Sequence, residues 1–104
     1  MTAAERFVPE GDAAGIRREK ARARELRLSG WWKRRIAVGR CHYCERDVGA
    51  RRLTLDHVVP LIRGGRSVRA NVVPACKDCN TRKKHLLPVE WREYVDSLGE
   101  RGAE

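Results

Sequence analysis

Two pairs of cysteines constrain this chain more than any other feature: Cys41-His42-Tyr43-Cys44 and Cys76-Lys77-Asp78-Cys79, with residues 45–75 between them. In a reducing compartment disulfides are disfavoured, whereas four thiolates at these intervals close a tetrahedron around Zn²⁺ with sulfur–metal distances of ~2.3 Å. Thiol redox chemistry is the competing reading of the same spacing. The composition asks for such a staple. A chain of 104 residues is one domain with at most a tail, and with 41% apolar, 6% aromatic and 36% charged residues it buries too little to be comfortably stable through its core alone. The ion's binding energy then becomes folding energy.

The net charge of +9 is unevenly placed. Residues 1–40 and 41–88 each carry an excess of six positive charges, and residues 89–104 an excess of three negative ones. A concentrated positive field in a small protein points to nucleic acid, because each neutralised phosphate releases condensed counterions; on charge alone RNA, DNA and an anionic membrane all remain open. There is no run of 18 uncharged apolar residues, and the first residues lack a basic start followed by an apolar stretch. The expectation is a soluble, cytoplasmic protein with no membrane partner.

Along the chain, residues 1–11 read as a loose arm. Asp12 is an N-cap candidate for a helix to about Leu28, with a thin apolar stripe (Ala13, Ile16, Ala23, Leu26) and cations including Arg17 and Arg18 spread around it. Such a helix either orders against something anionic or simply faces water. Ser29 caps a second short helix, Trp31 to Val38, stopped by Gly39; core packing is favoured over base stacking for at least one of Trp31 and Trp32. Leu53 to Pro60 alternates as a strand, Arg63 to Ser67 is a loop, Asn71 to Ala75 a second strand, and Lys77 to about His85 a helix. Pro88 opens a last helix with Trp91, Tyr94, Val95 and Leu98 on one stripe, core or docking surface, and Gly99 as its stop.

The reactive candidates cluster between and just after the cysteine pairs: Asp56, His57, Asn71 and Asn80. Neither Ser29 nor Ser67 lies in a nucleophile-elbow pattern and no Walker loop is present, so hydrolysis by activated water is what remains. Phosphodiester cleavage needs a base for water and a hard cation for charge building on the phosphoryl oxygens. A neutral imidazole suits the first role, and a carboxylate with an amide oxygen on a facing helix can hold Mg²⁺ or Mn²⁺. His57, Asp56 and Asn80 fit those parts. Neighbours on a strand point to opposite faces, so Asp56 and His57 can serve one site only if the strand bends or ends there.

Cys41-x-x-Cys44, the run Leu53-Thr54-Leu55-Asp56-His57-Val58-Val59-Pro60-Leu61, the Arg63-Gly64-Gly65 loop and Asn71-Val72-Val73-Pro74-Ala75-Cys76-x-x-Cys79-Asn80 resemble the HNH endonuclease family in its four-cysteine, zinc-bearing form. The stretches Trp31-Trp32, Leu86-Leu87-Pro88 and Glu90-Trp91 look similar to small stand-alone members. The resemblance implies an α+β fold of the ββα-metal kind, with the Asp-His dipeptide ending the first strand. It also implies His57 as general base, Asp56 and Asn80 as ligands of a catalytic Mg²⁺ or Mn²⁺, and Asn71 as the residue steadying the loop and the base. Asn80 stands where the family name has histidine.

The resulting expectation has three parts: a basic helical extension at 1–39, a ββα-metal domain at 40–87 holding one structural Zn²⁺ on Cys41, Cys44, Cys76 and Cys79, and an amphipathic helix and tail at 88–104. The activity expected is metal-dependent hydrolysis of duplex DNA, with Arg82, Lys83, Lys84, Arg63, Arg17 and Arg18 against the backbone. His42 is expected to be exposed and idle, and His85 solvent-facing or phosphate-adjacent. Two rivals stand beside it: a zinc-stapled module that binds nucleic acid without cutting, and a redox or metal-carrier protein.

Overall fold

The computed structural model describes residues 12–102; the loose arm expected at residues 1–11 lies outside them. Asp12, in extended backbone, turns the chain into α1 (Ala13–Leu28), its carboxylate accepting from Gly15 N. Ser29 then serves two helices. Its N–H and hydroxyl both donate to Leu26 O, and its Oγ accepts from Trp32 N to cap α2 (Gly30–Ala37).

After a tight knuckle at residues 40–47, β1 (Leu53–His57) and β2 (Val72–Cys76) pair antiparallel in the register Leu53↔Cys76, Leu55↔Pro74 and His57↔Val72. Pro74 is tolerated because the sheet has only two strands, and its carbonyl accepts from His42 N at 2.8 Å. Helices α3 (Lys77–Lys83) and α4 (Pro88–Gly102) follow. The described residues form a small α+β unit, two strands and four helices with a cysteine cluster, consistent with a ββα-metal domain.

Two buried clusters hold these elements together. One is built on the cysteines, Cys41, Cys76 and Cys79 with Leu53 and Ala75; the other joins Ala23 of α1 and Trp32 of α2 to Leu55 and Val72 of the sheet. Ile36 packs against both. The N-terminal helices therefore share a core with the strands, and α1 needs no anionic partner to be seated. None of the helices described is long and apolar enough to cross a membrane.

Several boundaries differ from the sequence expectation, and four of them for a visible reason. The first strand stops at His57 because the Asn71 side chain takes over the backbone of Val59, accepting from its N–H at 2.8 Å and donating to its carbonyl at 3.1 Å. Asn71 itself belongs to a 3₁₀ turn, so the second strand starts at Val72. Helix α3 ends at Lys83 because Lys84 sits at φ +47°, which breaks the helical path. Gly99 does not stop α4; its position is open and its φ is not positive, so the helix runs on. On that helix Trp91 packs edge-on against Tyr43, while Tyr94, Val95 and Leu98 are exposed.

Trp32 is 3% exposed, whereas Trp31 is half-buried under Arg35 and Arg69. Trp32→Ala should therefore cost about 3–5 kcal/mol in denaturant unfolding and Trp31→Ala clearly less. Equal losses would contradict this core assignment.

Candidate active site and metal centre

The four sulfurs lie within 4.8 Å of one another, with Cys44 Sγ and Cys76 Sγ 3.8 Å apart, the edge of a tetrahedron with ~2.3 Å sulfur–metal bonds. The donors suit a structural zinc ion. Tyr43 N and Cys76 N both donate to Cys41 Sγ, at 3.4 and 3.3 Å, and Arg46 donates to Cys44 Sγ at 3.3 Å and Cys76 Sγ at 3.7 Å. Burial pushes the Cys44 thiol up, but these Arg46 bonds and its neighbours' sulfurs outweigh that and bring it down to about 6. Burial drives Cys79 the other way, upward. Zinc removal should abolish fixed tertiary packing, because the sulfurs are themselves core; chelation in denaturant-free buffer with near-UV circular dichroism measures this, and an unchanged spectrum would contradict it.

The end of β1 opens into a cleft of about 370 Å³ between α1 and α3, lined by Asp56, His57, Asn80, Lys20, Lys84 and His85 among others. The strand ends at His57, and the two neighbours are served from opposite sides. Thr54 and Asp56 look toward α3, where Asn80 and Lys83 lie one helical turn apart; His57 looks toward α1 and the 64–67 loop. Gly64 in that loop has φ +91°, and a Cβ on Gly65 would stand 1.7 Å from Val59 O, so the turn accepts only glycine there.

Each candidate group is held by a partner whose hydrogen bonding sets its direction. Ser67 Oγ donates to Glu19 O at 2.5 Å, so toward His57 it accepts, from Nε2–H at 2.8 Å. That fixes the neutral tautomer and leaves Nδ1 as the basic nitrogen. Ser67 N in turn donates to the Glu19 carboxylate at 2.6 Å, a bond that holds this carboxyl below its usual range. Thr54 repeats the device on the other side. Its hydroxyl donates to Ala75 O and accepts from Asn80 Nδ2, both at 3.0 Å, leaving Asn80 Oδ1 as the free atom.

Asp56 is 7% exposed. Its Oδ2 accepts from the Tyr43 hydroxyl at 2.6 Å and pairs with Lys83 Nζ at 3.2 Å, while Oδ1 has no partner among the described residues. Burial and the Asp56 carboxylate push the Tyr43 phenol well above its ordinary 10, so it remains a donor. Burial also lowers the His57 imidazole below its ordinary 6.5, against the upward pull of Asp56. One carboxylate oxygen, one amide oxygen and a neutral imidazole thus meet at one cleft. Oxygen donors of this kind fit a hard divalent cation.

Other expected site residues fall elsewhere. Asn71 does not line the cleft; besides Val59 it donates to Arg66 O, so it positions the segment after His57. Lys83 as a phosphate contact is corrected: at 1% exposure it is walled in, donating to His57 O at 3.0 Å and paired with Asp56. Arg63 is engaged by Glu90 at 3.2 Å. Arg17, Arg18 and Arg82 are exposed but line no part of the cleft, whereas Lys84 does. His42 is exposed, and His85 borders the cleft. Nothing in local spacing marks Ser67, Glu19 or Lys20 for the cleft. For Tyr43 and Lys83 there was one: position inside a cysteine pair, and three residues beyond Asn80.

Lys83→Met should destabilise the chain by about 3–5 kcal/mol by stranding the buried Asp56 carboxylate, and adding Asp56→Asn should recover part of that loss. Additive losses in a double-mutant cycle would show that the pair is not coupled.

Among known proteins, the family model described as HNH endonuclease matches residues 41–94, just over half of the chain, spanning both cysteine pairs, the sheet and α3. Helices α1 and α2 lie outside the match. None of the curated proteins compared with the chain matches it.

Proposed function

The chain belongs to the HNH endonuclease family, and on that premise we propose that it is a metal-dependent endonuclease hydrolysing DNA phosphodiester bonds, with His57 as general base and Asp56 and Asn80 as ligands of a catalytic Mg²⁺ or Mn²⁺. The observation that carries this reading is the meeting of those three side chains in one cleft, beside the cations Lys20 and Lys84. Cys41, Cys44, Cys76 and Cys79 hold structural zinc in the same reading.

His57 Nδ1 takes the proton of the attacking water; Ser67, on Nε2–H, keeps that nitrogen basic and the ring in place. Asp56 Oδ1 and Asn80 Oδ1 would hold the second ion, since partners occupy the other polar atom of each side chain. When bound there, the ion supplies charge stabilisation for the phosphoryl and leaving oxygens. Lys20 and Lys84 attract the phosphate to the cleft.

A second reading draws on Lys83, which already neutralises Asp56: a zinc-stapled module that binds DNA without cutting. Incubating supercoiled plasmid with zinc-loaded protein and Mg²⁺ or Mn²⁺ separates the two, since nuclease action yields nicked or linear products and the module yields none.

His57→Ala should abolish cleavage while leaving zinc and fold intact; full retention of cutting eliminates the mechanism. Folding favours the neutral imidazole, so its base form persists below pH 6.5 and is lost only as pH falls further. The acid limb of kcat/KM should accordingly lie below pH 6.5. A limb at or above 7 would assign the base to another group.

A further inference from the structure

A second depression, of about 550 Å³, lies across the Thr54–Asn80 hydrogen bond from the cleft. Arg46, Arg51, Arg52, Thr54, Lys77 and Asp78 line it, so Thr54 faces this groove while its partner Asn80 faces the cleft. The two depressions share a wall. The fold itself assembles the cations: Arg51 and Arg52 close the 3₁₀ turn leading into β1, Lys77 opens α3, and the pairing of Leu53 with Cys76 brings Arg52 and Lys77 together at the same end of the sheet.

The charge of the groove is unbalanced. Arg46 donates to Asp78 at 3.3 Å and to the Cys44 and Cys76 sulfurs, so one guanidinium answers both the groove's carboxylate and the thiolates beside it. Arg51, Arg52 and Lys77 are exposed and pair with no carboxylate among the described residues. None of the three belongs to the cations that charge runs in the sequence single out.

We propose that this groove holds the sugar-phosphate backbone of the nucleic acid flanking the scissile bond, on one side of it. The inference rests on the nuclease reading and extends it to a second contact site. A strand rises ~3.3 Å per residue, which puts Arg52 about 13 Å from Asp56. One strand of a duplex spaces its charges ~3.4 Å along the axis, so the groove lies within about four phosphates of the reacting one. Three unpaired cations at that reach, beyond a wall formed by a cleft residue's own hydrogen bond, fit a continuous polyanion. Backbone contacts of this kind position the substrate without reading its sequence.

The test is the salt dependence of binding of a fluorescein-labelled 20-base-pair DNA duplex to zinc-loaded protein without Mg²⁺ or Mn²⁺, followed by anisotropy. Arg51→Gln, Arg52→Gln and Lys77→Gln combined should reduce the slope of log affinity against log salt by about 3, and each alone by about 1. A control with the same charge change, Lys33→Gln, Arg34→Gln and Arg92→Gln, should keep the wild-type slope. The single variants serve if the triple one unfolds. Single-stranded DNA and an RNA duplex in parallel tell which backbone the groove prefers. Equal slopes for groove variants and wild type, or equal losses in groove and control variants, overturn the groove while leaving the nuclease reading standing if wild type still cuts plasmid. A wild-type protein that neither binds nor cuts overturns both.

Discussion

Four sulfurs drawn from two distant stretches of chain are the constraint from which the rest of this structure follows. Cys41 and Cys44 belong to the knuckle, Cys76 ends β2 and Cys79 lies in the first turn of α3. Their convergence brings the knuckle, the strand pair and the helix to one point in a chain with few large apolar side chains. The cleft geometry is a short step away. Asn80 follows Cys79 directly, and β1 is locked in register to β2 by the pairing that sets Leu53 opposite Cys76. The thiolate cluster thereby decides where α3 lies against β1, and so where Asn80 and Lys83 meet Thr54 and Asp56.

Around the cleft, polar groups are directed by partners with no choice of role. A hydroxyl whose proton is committed to a backbone carbonyl can only accept from its other neighbour, which is how Ser67 sets the ring of His57 and Thr54 sets the amide of Asn80. Asp56 is held in the same spirit, by a phenol kept protonated and a lysine excluded from water. Such directed bonding lowers the reorganisation needed when charge develops. Part of it comes from beyond the family match, since Glu19 anchors Ser67 and Ile16 and Lys20 complete the cleft wall.

Much of this was legible in the sequence, for identifiable reasons. The cysteine spacing and the order of Asp56, His57 and Asn80 pointed to the family and to the residues that line the cleft, because local spacing on a strand and a helix carries directly into space. Capping chemistry gave both N-terminal helices, with Asp12 and Ser29 acting as their residue types require. What could not be read depends on long-range approach. Lys83 sits in a run of cations that looks solvated, and only docking of α3 on β1 turns it inward. Ser67 and Glu19 are 48 residues apart and meet only because α1 packs against the loop. The boundary at His57 required knowing that the Asn71 side chain replaces strand pairing at Val59.

The central claim is that Asp56 and Asn80 present oxygens to a divalent ion beside His57, in a scaffold fixed by a separate thiolate-bound metal. Anomalous diffraction from a zinc-loaded crystal soaked in Mn²⁺, recorded at both metal edges, tests it most directly. The account predicts one zinc peak among the four sulfurs and a distinct manganese peak touching Asp56 Oδ1 and Asn80 Oδ1. Manganese absent from the cleft, or bound away from both oxygens, would contradict it.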